Sequence, residues 1–291
     1  MSVDIRSATD KTSLRPRIRV AVISLYAFLI LAAISWGYIL LRGGSGFEDL
    51  FLAQTWRDGA DFIGRLAGKG SSHTPAFLQW TEWANTGKLA YETLAMSVLA
   101  IGIAGLGVLA TFLPAARNVA RGELAPSRGI LWRSLFFIVR GLFIFSRGTP
   151  ELVIAMIIIF FLSPGILPGA LALGLHNYGI LGKLMAEVVE NLDPRPARAL
   201  RAAGAGSFQM LFYAILPQAL PQFLTYLLYR WEVVIRTTII IGFVGASGLG
   251  KEFRLSMSFF QYTDIALLLI WYLLLVVLVD LVSTWLRRLA R

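Results

Sequence analysis

Residues 89–113 read LAYETLAMSVLAIGIAGLGVLATFL, and the only charged side chain in this run is Glu92, near its start. A helix needs about 20 apolar residues to cross the hydrocarbon core of a bilayer, which is roughly 30 Å thick. A run this long and this apolar therefore predicts a transmembrane helix.

Similar runs recur along the chain, and together they predict an all-α polytopic membrane protein with about six spans. The chain has 291 residues, of which 57% are hydrophobic, and its mean hydropathy of +0.69 exceeds what a soluble fold of this size can bury. Besides residues 89–113, the predicted spans are residues 20–41, 131–162, 169–189, 220–244 and 263–286. The span nearest the N-terminus, residues 20–41, is too long for a cleaved signal peptide, so we predict a retained anchor there.

The distribution of basic residues predicts the orientation, because short cytoplasmic loops are rich in Lys and Arg. Four basic regions alternate with the spans as cytoplasmic segments would. Two are the tails, residues 1–19 and 287–291. The other two are a loop with Arg117, Arg121, Arg128 and Arg133, and a loop with Arg195, Arg198 and Arg201. The segment 42–88 balances its charges and is predicted to be extracytoplasmic. The net charge of +10 then comes from these cytoplasmic loops, which face anionic lipid headgroups. We therefore expect no nucleic-acid partner.

Residues 237–252, TTIIIGFVGASGLGKE, come close to a phosphate-binding P-loop. Glu252 stands where that motif needs a magnesium-binding hydroxyl, and the preceding run belongs to a predicted span rather than a strand. We therefore expect no nucleotide at this loop. Its glycines, including Gly245, Gly248 and Gly250, allow positive φ and close backbone approach, which fits either a gate or a plain helix end followed by a turn.

Residues 187–223 contain a predicted pair of short cytoplasmic helices. Pro194 and Pro196 end the preceding helix, residues 197–203 favour a helix, and residues 204–207 form a turn. A second helix is predicted over 208–216, ending at Pro217.

This segment resembles the EAA loop of permease subunits in ABC importers. Gly204 matches the motif's glycine, nine residues follow, and residues 214–217 read AILP against the closing I-x-L-P. The opening triplet is Arg198-Ala199-Leu200, with arginine in place of the acidic residue. The resemblance implies that a coupling loop, residues 191–217, docks into a separate ATPase through Arg198, Ala199, Leu200, Gly204, Ala205, Leu216 and Pro217.

The resemblance extends over residues 89–286, which look like a type I ABC importer permease core. Three phrases are similar to the phosphonate branch: SRGTPELVIA at 146–155, ALRAAGA at 199–205, and the run from ILPQALPQF to GASGLG at 215–250. The family implies a non-catalytic inner-membrane subunit whose own chain holds no cofactor. It also implies two ATPase copies that bind ATP and magnesium, a second permease chain that is identical or paralogous, and a periplasmic or lipid-anchored binding protein.

Charged side chains inside the predicted spans form the candidate translocation pathway. A charge in a bilayer costs at least about 2.5 kcal/mol, so it is expected to be paired or to face water. Arginine matches the oxygens of phosphorus oxyanions, whereas pairs spaced four apart, Arg147 with Glu151 and Glu232 with Arg236, fit a purely structural role. Both readings apply to Arg140, Arg147, Glu151, Arg230, Glu232 and Arg236.

Gly148 and Pro150 interrupt the third predicted span. They predict a helix break that lines a cavity, since freed backbone groups are tolerated there.

Three functions of different kinds remain at this point. The first is a permease for phosphonate or, within the same family, for another small solute such as methionine or phosphate. The second is a secondary transporter that works without an ATPase, and the third is a membrane-embedded enzyme. The spans contain no cysteine, and the chain's two histidines lie far apart at His73 and His176, so the enzyme is least favoured.

Overall fold

The computed structural model of the protein describes residues 14–42, 46–71, 73–120, 122 and 130–289. Most of the predicted tail 1–19, the last two residues of the tail 287–291, and Arg121 and Arg128 of a predicted cytoplasmic loop lie outside the described residues. The regular structure within those ranges is helical throughout, which confirms the all-α prediction.

Twelve α-helices make up the described part of the chain. In order they are α1 (Leu14–Leu41), α2 (Ala53–Leu66), α3 (Trp80–Ala115), α4 (Arg117–Ala120), α5 (Ile130–Gly148), α6 (Glu151–Phe161), α7 (Ile166–Glu190), α8 (Arg195–Ala202), α9 (Ser207–Met210), α10 (Leu216–Phe243), α11 (Leu249–Ser258) and α12 (Tyr262–Leu289). Short 3₁₀ turns occupy Glu48–Phe51 and Ala76–Leu78. A five-residue π-helical turn, Leu211–Ile215, joins α9 to α10.

The chain divides into two compact units, one ending at Gly64 and one beginning at Arg65. The first unit contains α1 and most of α2. Large apolar side chains of α1 are exposed on all sides, Tyr26 and Phe28 among them. A helix with apolar side chains on every face is typical of a helix surrounded by lipid, so the first unit fits the predicted membrane anchor.

Four helical segments are long and apolar enough to cross a membrane: Val20–Leu41, Trp80–Ala115, Ser207–Phe243 and Tyr262–Leu289. The pair α5 and α6 makes a fifth if it counts as one broken span. The remaining predicted span, residues 169–189, is the fourth along the chain and lies in α7, whose 25 residues are long enough but less apolar. Its polar residues, among them Asn177, are accommodated because α7 packs against α3, α5, α6 and α10.

The second unit is built around α3, which packs against α5, α7, α10, α11 and α12. Met96, Ala100, Ala104 and Val108 are fully buried and recur every four residues, so they form one stripe along α3. A Cβ added to Gly174 of α7 would lie 3.1 Å from the Ala100 carbonyl oxygen. Small residues therefore let α3 and α7 approach closely, as packing in lipid requires.

Hydrogen bonds between side chains of different helices fix how the helices are rotated. The Trp231 indole donates to Ser97 Oγ over 3.1 Å, which joins α10 to α3. The Tyr178 hydroxyl donates to Thr111 Oγ1 over 3.1 Å, which joins α7 to α3. Such bonds contribute about 0.6 kcal/mol each in membranes, so they set the geometry more than the stability.

Candidate coupling and translocation sites

The corner of the coupling loop is a helix end that requires glycine. Gly204 follows α8 with a φ of +84°. Its N–H bonds to the Arg201 carbonyl over 3.0 Å, and the Ala205 N–H bonds to the Leu200 carbonyl over 3.0 Å. These two bonds form a Schellman motif, in which the residue after the helix adopts a left-handed conformation that favours glycine.

The coupling loop exposes some of its predicted docking residues and half-buries the others. Arg198, Ala199, Gly204 and Pro217 are exposed, whereas Leu200, Ala205 and Leu216 are half-buried. Beside them, Phe208, Phe212 and Tyr213 are exposed large aromatic side chains that the sequence analysis did not single out. The loop thus presents both basic and aromatic side chains on its surface.

Two contacts anchor the coupling loop to the helix bundle. Ala197 on the inner face of α8 is 4% exposed and belongs to the main hydrophobic core. Arg201 Nη1 donates to the Gly122 carbonyl oxygen over 3.2 Å, which ties α8 to the connection between α4 and α5. Because these two contacts attach α8 to the helix bundle, a movement of the exposed face of α8 would also move the bundle.

The prediction that the second short helix ends at Pro217 is wrong. The helix that begins at Ser207 widens to the π-helical turn Leu211–Ile215 and continues as α10 to Phe243. Pro217 is the second residue of α10 and follows this π-helical turn, where the regular α-helical bonding is already interrupted and a missing N–H is accommodated. The proline therefore does not end the helix, and the coupling loop and the long span share one continuous helical segment.

Arg140 is held at a junction of three helices. Its guanidinium forms an ion pair with Glu190 at the end of α7, and its Nε donates to the Ala115 carbonyl at the end of α3 over 2.9 Å. The same Glu190 oxygen accepts the Arg117 N–H over 2.8 Å. These partners give Arg140 a packing role, and its pathway role stays a prediction.

Glu190→Ala is expected to lower the free energy of unfolding by about 1 to 3 kcal/mol, because it leaves a mostly buried guanidinium and a backbone N–H without their acceptor. Glu187→Ala on the same helix is the matched control. The ion pair of Glu187 with Lys183 is over 40% exposed on both sides, so its loss is expected to cost less than about 1 kcal/mol. Denaturant unfolding of the two purified variants measures the difference, and equal shifts would contradict the junction's role.

The two ion pairs predicted at four-residue spacing are absent from the described residues. Arg147 and Glu151 belong to different helices, α5 and α6, which are bent by 95° at the break, so the spacing no longer places them on one face. Glu232 pairs instead with Arg287 of α12, at 2.5 Å between Oε1 and Nη1. Glu232 is 8% exposed, and this contact between helices supplies its counter-charge.

Arg230 is a pathway candidate that bonds to a buried polar side chain of another helix. Its Nε donates to Asn177 Oδ1 over 2.8 Å, and Asn177 is almost fully buried in α7. Glu151, the first residue of α6, lies close enough to interact electrostatically with the same guanidinium. The structure thus brings together Arg230, Glu151 and Asn177, while Arg147 and Arg236 are exposed on the surface of this chain.

The chain turns sharply where Gly148 and Pro150 interrupt the apolar run. α5 ends at Gly148, and α6 begins at Glu151 after the bend. The freed Thr149 carbonyl lies 3.2 Å from His176 Nδ1 of α7. The bend is therefore supported by the neighbouring helix, as broken helices in membranes require.

The glycine loop between α10 and α11 docks onto α3. Gly245 and Gly248 have φ values of +119° and +90°, so the loop uses conformations that other residues rarely adopt. The Leu249 N–H at the start of α11 donates to Thr93 Oγ1 over 2.9 Å, and the Ser247 hydroxyl donates to Glu92. A polar patch on α3 thus holds the loop in place.

Comparisons with known proteins extend what this geometry indicates. The family described as "binding-protein-dependent transport system inner membrane component" matches residues 131–291. The chain is 38% identical over 256 residues to the phosphite transport system permease protein PtxC of Stutzerimonas stutzeri, covering 88% of this chain and 87% of that relative. It is 36% identical over 118 residues to the putative cryptic phosphonate transport system permease protein PhnE2 of Escherichia coli (strain K12), covering 40% of this chain and 97% of the relative.

A solved structure shares the fold. The inward-facing MetNI methionine ABC transporter is similar with a TM-score of 0.56 and 22% identity, covering 71% of this chain and 96% of that one. At this identity the likeness concerns the fold alone.

The helical bundle with its protruding loop is that of an ABC importer permease. The chain belongs to the family of binding-protein-dependent transport system inner membrane components. Members of this family are multi-pass inner-membrane subunits that work with an ATPase and a substrate-binding protein, and they are translocation components.

Proposed function

We propose that the chain is the permease subunit of an ATP-driven importer that moves phosphonate or a related phosphorus oxyanion across the bacterial inner membrane. The choice of solute is supported by the relationship with a phosphite permease, which extends over 88% of the chain. The chain itself performs no chemistry, and ATP and magnesium are bound by the partner ATPase.

The observation that carries this proposal is the coupling loop. Its exposed residues, including Arg198 and Ala199, stand beside a glycine corner, and its base is fixed to the core by Ala197. A continuous helical segment, Ser207–Phe243, leads from this loop to the half-buried Arg230 and on to the glycine loop. A displacement imposed by the ATPase would therefore reach the middle of the membrane through one connected segment.

The exposed arginines of this chain support a transporter that contains two permease chains. Arg147 and Arg236 sit in apolar helices and have no ion-pair partner in the described chain. An unpaired cation in lipid is costly, so we place these side chains at a water-filled path between two permease chains, identical or paralogous. Two ATPase copies and a periplasmic or lipid-anchored binding protein complete the transporter.

The orientation follows from the charge distribution. The coupling loop lies on the cytoplasmic side, where the ATPase is, and both termini lie on that side as well. The segment 42–88 then faces the binding protein.

Uptake by the complete transporter in proteoliposomes tests the solute. We expect saturable, ATP-dependent accumulation of radiolabelled phosphite, with methylphosphonate as a competitor and methionine without effect. The physical reason is that a phosphorus oxyanion carries a net negative charge for guanidinium groups to bind, whereas methionine is a zwitterion whose ammonium offsets its carboxylate. ATP-dependent methionine accumulation without phosphite or methylphosphonate uptake would contradict the proposal.

A further inference from the structure

Helix α2 ends at the boundary of a membrane span. In its last turn, Arg65 Nη1 donates to the Tyr262 hydroxyl over 3.4 Å, and the guanidinium carbon lies 5.5 Å from the centre of the Tyr262 ring. Tyr262 is the first residue of α12, a candidate membrane span, so it marks the level at which that span leaves the bilayer. The end of α2 is thus held at the bilayer surface, on the outer side in the orientation proposed above.

The side chains of α2 divide into an apolar and a polar face. Trp56, Ala60 and Ile63 recur at spacings of four and three residues, so they lie on one side of the helix. The opposite side carries the charged residues of α2, which are Arg57, Asp58, Asp61 and Arg65. None of the residues of α2 is buried, and Trp56 and Ile63 are 71% and 67% exposed. The helix is therefore amphipathic, and its apolar face is uncovered in the described chain.

The turn before α2 adds further apolar surface. The Trp56 indole donates to the Leu50 carbonyl oxygen over 2.9 Å, which joins the 3₁₀ turn Glu48–Phe51 to the first turn of the helix. Phe51 in that turn is 76% exposed. Tryptophan is enriched at the boundary between acyl chains and headgroups, because its ring is apolar and its N–H is polar. The turn and α2 thus form one amphipathic element with a tryptophan on its apolar face.

The apolar face of α2, defined by Trp56, Ala60 and Ile63, needs an apolar partner. Isolated helices of about 12 to 15 residues are marginal in water, and α2 has 14 residues. Lipid meets this need at all times, because the end of the helix is held at the bilayer surface. A soluble binding protein would leave the face exposed to water whenever it dissociated.

The polar face of α2 indicates which lipid surface it fits. Its two arginines and two aspartates balance each other. Gln54 Nε2 donates to Asp58 Oδ1 over 3.0 Å, a bond within the helix that leaves this balance unchanged. Helices that depend on anionic lipid are rich in Lys and Arg on this face. Helix α2 therefore fits a headgroup layer without net charge.

We propose that α2 lies parallel to the membrane in the outer headgroup layer, with its apolar face in contact with the acyl chains. The helix is then an attachment of this chain to the lipid surface in addition to its spans. Through Arg65 and Tyr262 it fixes the start of α12 at that surface. This inference goes beyond the proposed function, since it concerns neither the solute nor the ATPase.

Spin labels on the two faces of α2 test the proposal in the assembled transporter, reconstituted in phosphatidylcholine nanodiscs. The chain has no native cysteine, so Ile63→Cys and Asp61→Cys each give it one labelling site, two residues apart on opposite faces. Oxygen concentrates in the bilayer, whereas a nickel chelate stays in water. We expect the ratio of oxygen to nickel collisions to be at least about fivefold higher at Ile63, because the apolar face of such a helix lies roughly 5–10 Å below the headgroup boundary.

A second pair of variants and two controls keep the result independent of any one substitution. Ala60→Cys is expected to behave like Ile63→Cys, and Arg57→Cys like Asp61→Cys. The unsubstituted transporter, treated with the same label, measures the background from the partner subunits, and ATP-driven uptake by each variant shows that it is assembled.

Three results would overturn the proposal. Equal ratios on the two faces would place α2 in water. Low collision rates with both probes at Ile63 would mean that protein covers the apolar face. A fall in both rates at Ile63 when the binding protein is added would assign the face to that protein, whereas the lipid contact predicts no change on its addition.

Discussion

Gly204→Val is expected to lower ATP-driven uptake at least about tenfold. At φ +84° an L-residue is strained by roughly 1 to 2 kcal/mol, and a β-branched side chain by more. Since 1.4 kcal/mol corresponds to a factor of ten, relief of this strain is enough to open the Schellman motif and turn α8 away from the ATPase. Among the described residues a Cβ here would meet no atom within 4 Å, so the strain comes from the backbone conformation.

Gly204→Asn is the matched control for this prediction. Asparagine adds a side chain of similar size but tolerates the left-handed region, so uptake and ATPase binding are expected to stay near the unchanged level. Co-purification of the ATPase with each variant, together with ATP-driven uptake, measures the difference. If valine and asparagine behaved alike, the backbone conformation of this corner would not matter for coupling.

Gly250→Ala is expected to have the largest effect on folding. A Cβ at this position would lie 2.1 Å from the Ile239 carbonyl oxygen and 2.9 Å from the Gly242 Cα. Both obstacles are backbone atoms of α10, so neither can move aside as a flexible side chain would. We expect a loss of about 3 kcal/mol, the upper end of the usual cost of overpacking, and a marked fall in the yield of folded protein.

Gly141→Ala provides the control for the glycine contact. Gly141 lies inside α5, and a Cβ there would meet nothing within 4 Å, so we expect unchanged or slightly higher stability because alanine favours helix. Thermal unfolding of both variants in detergent measures the contrast. A Gly250→Ala protein with the unfolding temperature of the unchanged chain would show that α10 and α11 do not depend on this contact.

The apolar spans and the glycine corner could be predicted from the sequence because both depend on local properties. The length of an apolar run shows directly whether a helix can cross the bilayer. The left-handed conformation after α8 is indicated by the glycine at position 204. The end at Pro217 was predicted wrongly because this proline follows a π-helical turn, where its missing N–H does not end the helix. That π-helical turn has no clear signal in the sequence.

The partners of the charged residues could not be predicted because they lie on other helices. Glu232 pairs with Arg287, and Arg140 pairs with Glu190, each across a contact between helices that the sequence spacing does not encode. Asn177 was missed as well. Its position as a polar residue within an apolar span was the available signal, since polar groups inside membranes tend to bond to one another.

Accumulation of phosphite in sealed proteoliposomes, measured with ATP inside or outside the vesicles and with or without an imposed ion gradient, tests the central claim most directly. The vesicles contain this chain, its ATPase and its binding protein. The account predicts concentrative uptake only where ATP reaches the ATPase, no uptake driven by an ion gradient alone, and loss of uptake in Gly204→Val. Uptake driven by an ion gradient in vesicles without the ATPase would contradict it.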